Sequence, residues 1–170
     1  MTQDSITLRL ARLFDAKFIA AMSRDLIETG LGWSWHPDRV AKSIRDRNTV
    51  TLIAEDRERI VAFAIMHFGD DCAHLSLLAV RASYQRQGIG KRMVQWLIES
   101  ARVAGIATIQ LELRTGNTSA RRFYRALGFS ETAYIPGYYR GRETALRMLC
   151  ILREPNAPLP QWQMPRLPRR

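Results

Sequence analysis

LAVRASYQRQGIGKRM, running from Leu78 to Met93, reads as an apolar strand followed by a turn and the first residues of a helix. Gln85 to Gly90 spells Gln-x-x-Gly-x-Gly and is followed at once by Lys91, Arg92 and an apolar helical pattern. Successive backbone N–H groups at such a helix start have no intrahelical partner and converge on one spot, which suits phosphate oxygens. Gly88 and Gly90 carry no Cβ, so the backbone is free to take otherwise costly dihedrals and a ligand can come close. The helix N-terminus, with Arg86 and Lys91, adds positive potential. The expected guest is an anion held by amides between Arg86 and Arg92, a set that includes Gln87 and Ile89.

Two other glycine-rich phosphate loops do not fit. A dinucleotide fingerprint needs a third glycine three positions after the second, where this chain has Met93. A Walker loop needs Ser or Thr after Gly-Lys, and Gly90-Lys91 is followed by Arg92. An ordinary strand, turn and helix with punctuating glycines is the plain alternative. Leu78-Ala79-Val80 before the turn, and Asn117 to Phe129 (NTSARRFYRALGF) after it, decide between them. Together the blocks resemble the GNAT superfamily of acetyl-CoA-dependent N-acetyltransferases, over about Thr51 to Leu152. In motif the chain is similar to ribosomal-protein and other protein N-terminal acetyltransferases.

The whole chain agrees with one globular domain. It has 170 residues, of which 46% are hydrophobic and 25% charged, enough for a proper core. The domain is expected over residues 1–153, with a Pro/Arg-rich tail over 154–170 in which Leu159 and Trp162 keep docking open. No apolar stretch approaches the length of a membrane span, and MTQDSITLRL lacks the layout of a secretory signal. A cytoplasmic protein is the expectation, with no membrane partner. Cys72 and Cys150 fall in expected strands without metal or redox spacing, and His36, His67 and His74 show no ligand pattern with them. No metal is expected. The formal net charge of +10 would suit a nucleic acid, but the arginines are scattered and a phosphorylated coenzyme already calls for a positive field. Nucleic acid is therefore not the expected partner.

Hydrophobic periodicity gives a strand over 6–10 and a helix over 14–28 with Phe18, Ala21, Met22 and Leu26 on one face, ended by Gly30 and Gly32. A short helix over 38–47 follows, opened by His36-Pro37. Strands over 50–55, 60–68 and 74–81 should form an antiparallel meander. A helix over 88–104, a strand over 108–114, a helix over 118–127 capped by Asn117, and strands within 129–136 and 143–152 complete the order. The fold class is α/β (α+β), with a central mixed sheet. The resemblance specifies a mostly antiparallel sheet of six or seven strands flanked by helices and splayed between the fourth and fifth. Pairing of sheet edges or swapping of the last strand leaves a homodimer open.

Acetyl transfer from a thioester to an amine must hold the coenzyme, present a neutral amine, and stabilise first the oxyanion and then the leaving thiolate. The resemblance implies acetyl-CoA as co-substrate, lying along Leu78, Ala79 and Val80, with the Val80 N–H on the thioester oxygen. Tyr124 shares a helix face with Ala120, Phe123 and Leu127 and reads by itself as a core aromatic. The resemblance makes it the acid that protonates the coenzyme sulfur. Glu112 lies on the opposite strand face from Ile109, Leu111 and Leu113, so pattern alone makes it solvent-facing. Resemblance to protein N-terminal acetyltransferases makes it a base acting through water, while in other members the matching position is not the base. An amine with a pKa of about 10.4 is about one part in a thousand neutral at pH 7, so deprotonation is a real barrier.

Asn117 reads as helix N-cap, and the resemblance adds a bond to the coenzyme arm. Tyr138 and Tyr139, followed by Glu143-Thr144-Ala145, resemble the paired tyrosines and acidic turn of peptide-acetylating members, with Thr144 where an aspartate is common. Trp33 and Trp35 lie where the acceptor site is usually walled, and either plug the core or contact substrate. No cysteine is placed to carry the acetyl group, so direct attack in a ternary complex is expected. The acceptor is a protein or peptide N-terminal amine or a small-molecule amine. A non-catalytic coenzyme- or nucleic-acid-binding module is the rival from another class.

Overall fold

Apolar runs separated by short polar turns fold back on one another and build the first half of the sheet. The computed structural model describes residues 5–153. Strands β2 (Thr49–Asp56), β3 (Arg59–Phe68) and β4 (Cys72–Val80) form the expected antiparallel meander, and β1 (Ile6–Leu10) pairs antiparallel with the outer edge of β2. Helices α1 (Ala16–Leu26) and α2 (Pro37–Arg45) lie between β1 and β2. After β4 come α3 (Ile89–Val103), β5 (Thr108–Arg114), α4 (Thr118–Ala126), β6 (Ser130–Tyr139) and β7 (Glu143–Ile151). The strands make one seven-stranded sheet in the order β1-β2-β3-β4-β5-β7-β6. β4 and β5 run parallel and every other pair is antiparallel.

The splay lies where the resemblance put it. β4 and β5 pair only from Cys72↔Thr108 to Leu75↔Leu111, and the remainder of each strand diverges. Beside that point, Ile65 pairs with Leu77 and Met66 with Leu75, leaving Ser76 as an extra residue in β4. A bulge of one residue reverses which face each later side chain takes. Thus Ala73 and Leu75 pack into the core beneath α3, whereas Leu77 and Ala79 pack into the core beneath α1 and α2. Leu78 and Val80 are thereby turned to the α3 side, where both pack against its core.

Helix α1 corrects one expectation. Its buried side chains include Ile19, Ala20, Met22 and Ser23, while Phe18 is 47% exposed with the Lys17 ammonium 4.9 Å from its ring centroid. Small residues on the buried face let the helix sit close to β3 and β4, and close packing outweighs placing the largest ring inward. The helix also ends earlier than 28. Glu28 turns back and accepts bonds from Ser34 N (2.8 Å), Trp35 N (3.2 Å) and Ser23 Oγ (3.1 Å), so the chain from 27 to 35 becomes a loop held by a buried carboxylate. The tail over 154–170, with Leu159 and Trp162, lies outside the described residues. Among the described residues no helix is long and apolar enough to cross a membrane.

Candidate active site

The turn after β4 has two left-handed residues, Arg86 at φ 60° and Gly88 at φ 79°. The Gln85 side chain donates to Val80 O (3.0 Å), tying the turn to the strand. The first helical bond of α3 runs from Arg92 N to Gly88 O (3.0 Å), so the amides of Gly88, Ile89, Gly90 and Lys91 precede the ladder and remain available to an anion. The two glycines serve different ends. A Cβ on Gly88 would meet nothing within 4 Å, so the residue answers to its φ; a Cβ on Gly90 would lie 3.3 Å from Phe123 Cζ and 3.6 Å from Val80 Cγ2. Gly90 lets the start of α3 close onto α4 and β4.

A cavity of about 700 Å³ opens over this turn and is lined by Leu78, Ala79, Val80, Arg86, Gly88, Ile89, Gly90, Lys91 and Tyr124 among others. Arg81 N donates to Val61 O (2.8 Å), and strand alternation turns the N–H groups of Val80 and Leu78 to the other edge, toward the split. Two expected residues have side chains directed elsewhere. The Arg92 amide is used inside α3, and its guanidinium donates to Ile6 O (3.2 Å) on β1; Gln87 sends its side-chain amide to Ser83 O (3.1 Å). Neither side chain lines the cavity.

Tyr124 stands where two cavities meet. It lines the cavity above the turn and also a cavity of about 540 Å³ inside the split, with Leu78 and Ala120 again on both walls. The residue is 8% exposed and sits edge-on to Phe123 and Phe129 at 5.0 and 5.4 Å. Burial holds its phenol above the ordinary tyrosine value, so the hydroxyl keeps its proton at rest. Asn117 lines the split cavity and caps α4, its Oδ1 accepting from Ala120 N (3.1 Å).

Glu112 also lines the split, but it does not face solvent, as the strand pattern alone would have it. Its side chain is 4% exposed and meets His74 Nε2 at 2.5 Å and Arg147 Nε at 2.9 Å. Gln110 Nε2 adds a third bond, at 2.9 Å. Side chains from the strands on either side of β5, His74 of β4 and Arg147 of β7, close around it on that face, which the alternation within β5 cannot reveal. Burial pushes the carboxyl up, yet the bonds from His74 and Arg147 outweigh it and bring the value to about 2. Since a carboxylate only accepts, Nε2 of His74 carries the hydrogen, leaving Nδ1 facing Ser76 Oγ at 3.3 Å. Sequence reading missed His74 and Ser76. Their signal was present as polar residues alternating with Ala73 and Leu75 on β4, matched by Gln110 and Glu112 on β5, but it needed the parallel register of the two strands.

On the α1 and α2 side, a cavity of about 400 Å³ is lined by Glu28, Trp35, His74, Glu112, Tyr138 and Tyr139 among others, and shares Ser76, Leu77, Glu112 and Tyr139 with the split cavity. Both tryptophans pack against the α1–α2 core; Trp35 also lines this cavity, while Trp33 lies against His36, with ring centroids 4.2 Å apart. Tyr138 and Tyr139 stand edge-on at 5.0 Å, and burial, with Glu112 nearby, raises both phenols. Among the described residues no group of three or more His, Cys, Asp or Glu side chains is placed to hold a metal ion.

Adjoining cavities that share lining residues thus form a passage through a split sheet, with the helix-start turn at one end. Residues 18–129 match the acetyltransferase (GNAT) family. The chain belongs to that family. The [ribosomal protein bS18]-alanine N-acetyltransferase of Escherichia coli (strain K12) is 40% identical over 93 residues, which cover 53% of this chain and 63% of that protein. The protein of the same name from Haemophilus influenzae is 37% identical over 101 residues, 57% of this chain and 68% of that one. The crystal structure of the ribosomal-protein-S18-alanine N-acetyltransferase from Escherichia coli superposes with a TM-score of 0.77 at 26% identity, covering 91% of this chain and 99% of that one. The PaiA N-acetyltransferase from Thermoplasma acidophilum, in complex with coenzyme A, has a TM-score of 0.73 at 17% identity, covering 86% and 99%, and shares the fold.

Proposed function

We propose that this GNAT chain moves an acetyl group from acetyl-CoA to a primary amine by direct attack in a ternary complex, and that the amine is the N-terminus of a protein or peptide. The observation that carries the reading is the passage through the split: a cavity over an anion-binding turn at one end, a cavity under α1 and α2 at the other, and a middle walled by Tyr124 and Glu112. In this reading the diphosphate takes the amides of Gly88 to Lys91, with Arg86 and Lys91 beside it. The coenzyme arm pairs with the freed edge of Leu78, Ala79 and Val80 and with Asn117. The Val80 N–H meets the thioester oxygen, where its bond strengthens as negative charge develops. Relatives that are ribosomal protein bS18-alanine N-acetyltransferases support the choice of acceptor.

The amine reaches the thioester from the Trp35, Tyr138 and Tyr139 side. Its nitrogen bonds to the carbonyl carbon, the C–S bond breaks, and Tyr124 protonates the leaving sulfur. The ammonium proton leaves toward Glu112. A carboxyl that titrates near 2 is a weak acceptor by itself, so the proton passes through water or Ser76 to His74 Nδ1, and Glu112 holds the imidazolium that results. Free thiol release from acetyl-CoA, followed over peptides, amino acids and polyamines, tests the reading. Steady release with peptides supports it. Release only with polyamines or amino acids replaces the acceptor class, and coenzyme binding without turnover on any amine overturns the enzyme assignment.

A further inference from the structure

The acceptor-side mouth carries more fixed positive charge than its carboxylates answer. Its acidic groups have their oxygens occupied: Glu28, which keeps its charge, by neutral donors of Ser23, Ser34 and Trp35, Glu112 by His74, Arg147 and Gln110, and Glu143 by Arg114 at 3.5 Å. Arg39 and Arg140 line the acceptor-side cavity, Arg142 lines an adjoining one that shares Tyr139 and Arg140 with it, and among the described residues none of the three meets a carboxylate.

Two of these guanidiniums are held in place by packing. Arg39 lies over the Trp35 ring, its Cζ 3.9 Å from the centroid, with Nη1 3.4 Å from Ser34 Oγ. Arg140 sits against the α1–α2 loop where Gly32 leaves room: a Cβ on Gly32 would come within 3.3 Å of Arg140 Cζ. Gly32 is left-handed, at φ 76°, and Arg140 itself is left-handed at φ 53° in the β6–β7 turn, so both backbone positions are turned to make this seat. A stacked guanidinium has lost much of its rotamer freedom before any ligand arrives, while the N–H edge that forks onto a carboxylate is still available.

We infer that this mouth selects an acceptor carrying a carboxylate near its amine, in the form of a peptide N-terminus followed within a few residues by Asp or Glu. The inference rests on the acetyl-transfer reading above and names the acceptor chemistry at the same site. The same field disfavours an ammonium close by and so helps present the neutral amine the attack requires. Basic residues after the N-terminus meet Arg39 and Arg140 head-on, and like charges brought together there discriminate against the wrong partner.

The test compares kcat/KM for peptides that are identical except at the second and third residues, as Asp/Glu, Ser or Lys/Arg, with aspartate and spermidine as free-amine controls. The expected result is a preference of about tenfold or more for the acidic over the basic peptide, shrinking as salt rises from 0.05 to 0.5 M. In Arg39→Glu/Arg140→Glu the ratio reverses, and in Arg39→Gln/Arg140→Gln it falls toward one; thermal melts of both variants confirm folding, and the ratio is read within each variant. Equal rates on acidic and basic peptides, a preference for basic ones, or a ratio unmoved by the charge reversal overturns the inference while leaving acetyl transfer standing. Turnover of no amine at all overturns the acetyl-transfer reading and this inference with it.

Discussion

At the scale of single residues the assignment turns on Tyr124 and on the cluster around Glu112. Tyr124→Phe removes the proposed proton donor and leaves the ring packing against Phe123 and Phe129. We expect kcat to fall by about a hundredfold or more while the dissociation constant for coenzyme A stays within about twofold; thiol-release kinetics and calorimetry read the two. Glu112 makes a second prediction, on stability. Its carboxyl titrates at about 2, below the ordinary 4.5, so its contribution is complete above about pH 4.5 and is lost as pH falls toward 2. The contribution is at most about 3 kcal/mol. In Glu112→Gln the acid limb of the unfolding free energy should be shallower between pH 4.5 and 2, measured by urea titrations across that range. What the sequence offered here was uneven. Tyr124 was legible because its surrounding block is distinctive. The partners of Glu112 were not, because His74 and Arg147 come from strands that only the sheet order makes neighbours of β5.

At the scale of elements, β5 was legible residue for residue, since its alternation of Thr, Gln, Glu and Arg with apolar side chains admits one strand reading. Helix α1 was less so. A large ring at Phe18 looked inward by helical spacing, but Ile19, Ala20 and Ser23 make the smoother face. The splay was implied by resemblance, but the bulge at Ser76 beside it was located only by register, because a one-residue insertion leaves no mark in composition. The turn before α3 gives a prediction that separates its glycines. Gly88 occupies open space at φ 79°, so Gly88→Ala should cost about 1–2 kcal/mol and Gly88→Asn less, as Asn tolerates this conformation. Gly90 has Phe123 Cζ 3.3 Å from a built Cβ, so Gly90→Ala and Gly90→Asn should both weaken coenzyme binding, Asn the more strongly. Urea denaturation and coenzyme titration of the four variants distinguish a backbone requirement from a packing one.

At the scale of the molecule, the sheet divides the work. In the proposed reading one face, under α3, receives the coenzyme; the other, under α1 and α2, receives the acceptor; the split between β4 and β5 lets the two meet. A formal charge of +10 adds a long-range attraction for a polyanionic coenzyme. Stopped-flow association of coenzyme A should therefore slow markedly between ionic strengths of about 0.01 and 0.15 M, as the screening length falls from about 30 to 8 Å, with a smaller change in the dissociation rate. The central claim is that acetyl-CoA lies in this split with its diphosphate on the α3 turn. A crystal structure of the protein with coenzyme A tests it most directly. The account predicts diphosphate oxygens within hydrogen-bond distance of the amides from Gly88 to Lys91, and the sulfur beside Tyr124 between β4 and β5. Coenzyme bound away from that turn, or a split left empty at saturating coenzyme, would contradict it.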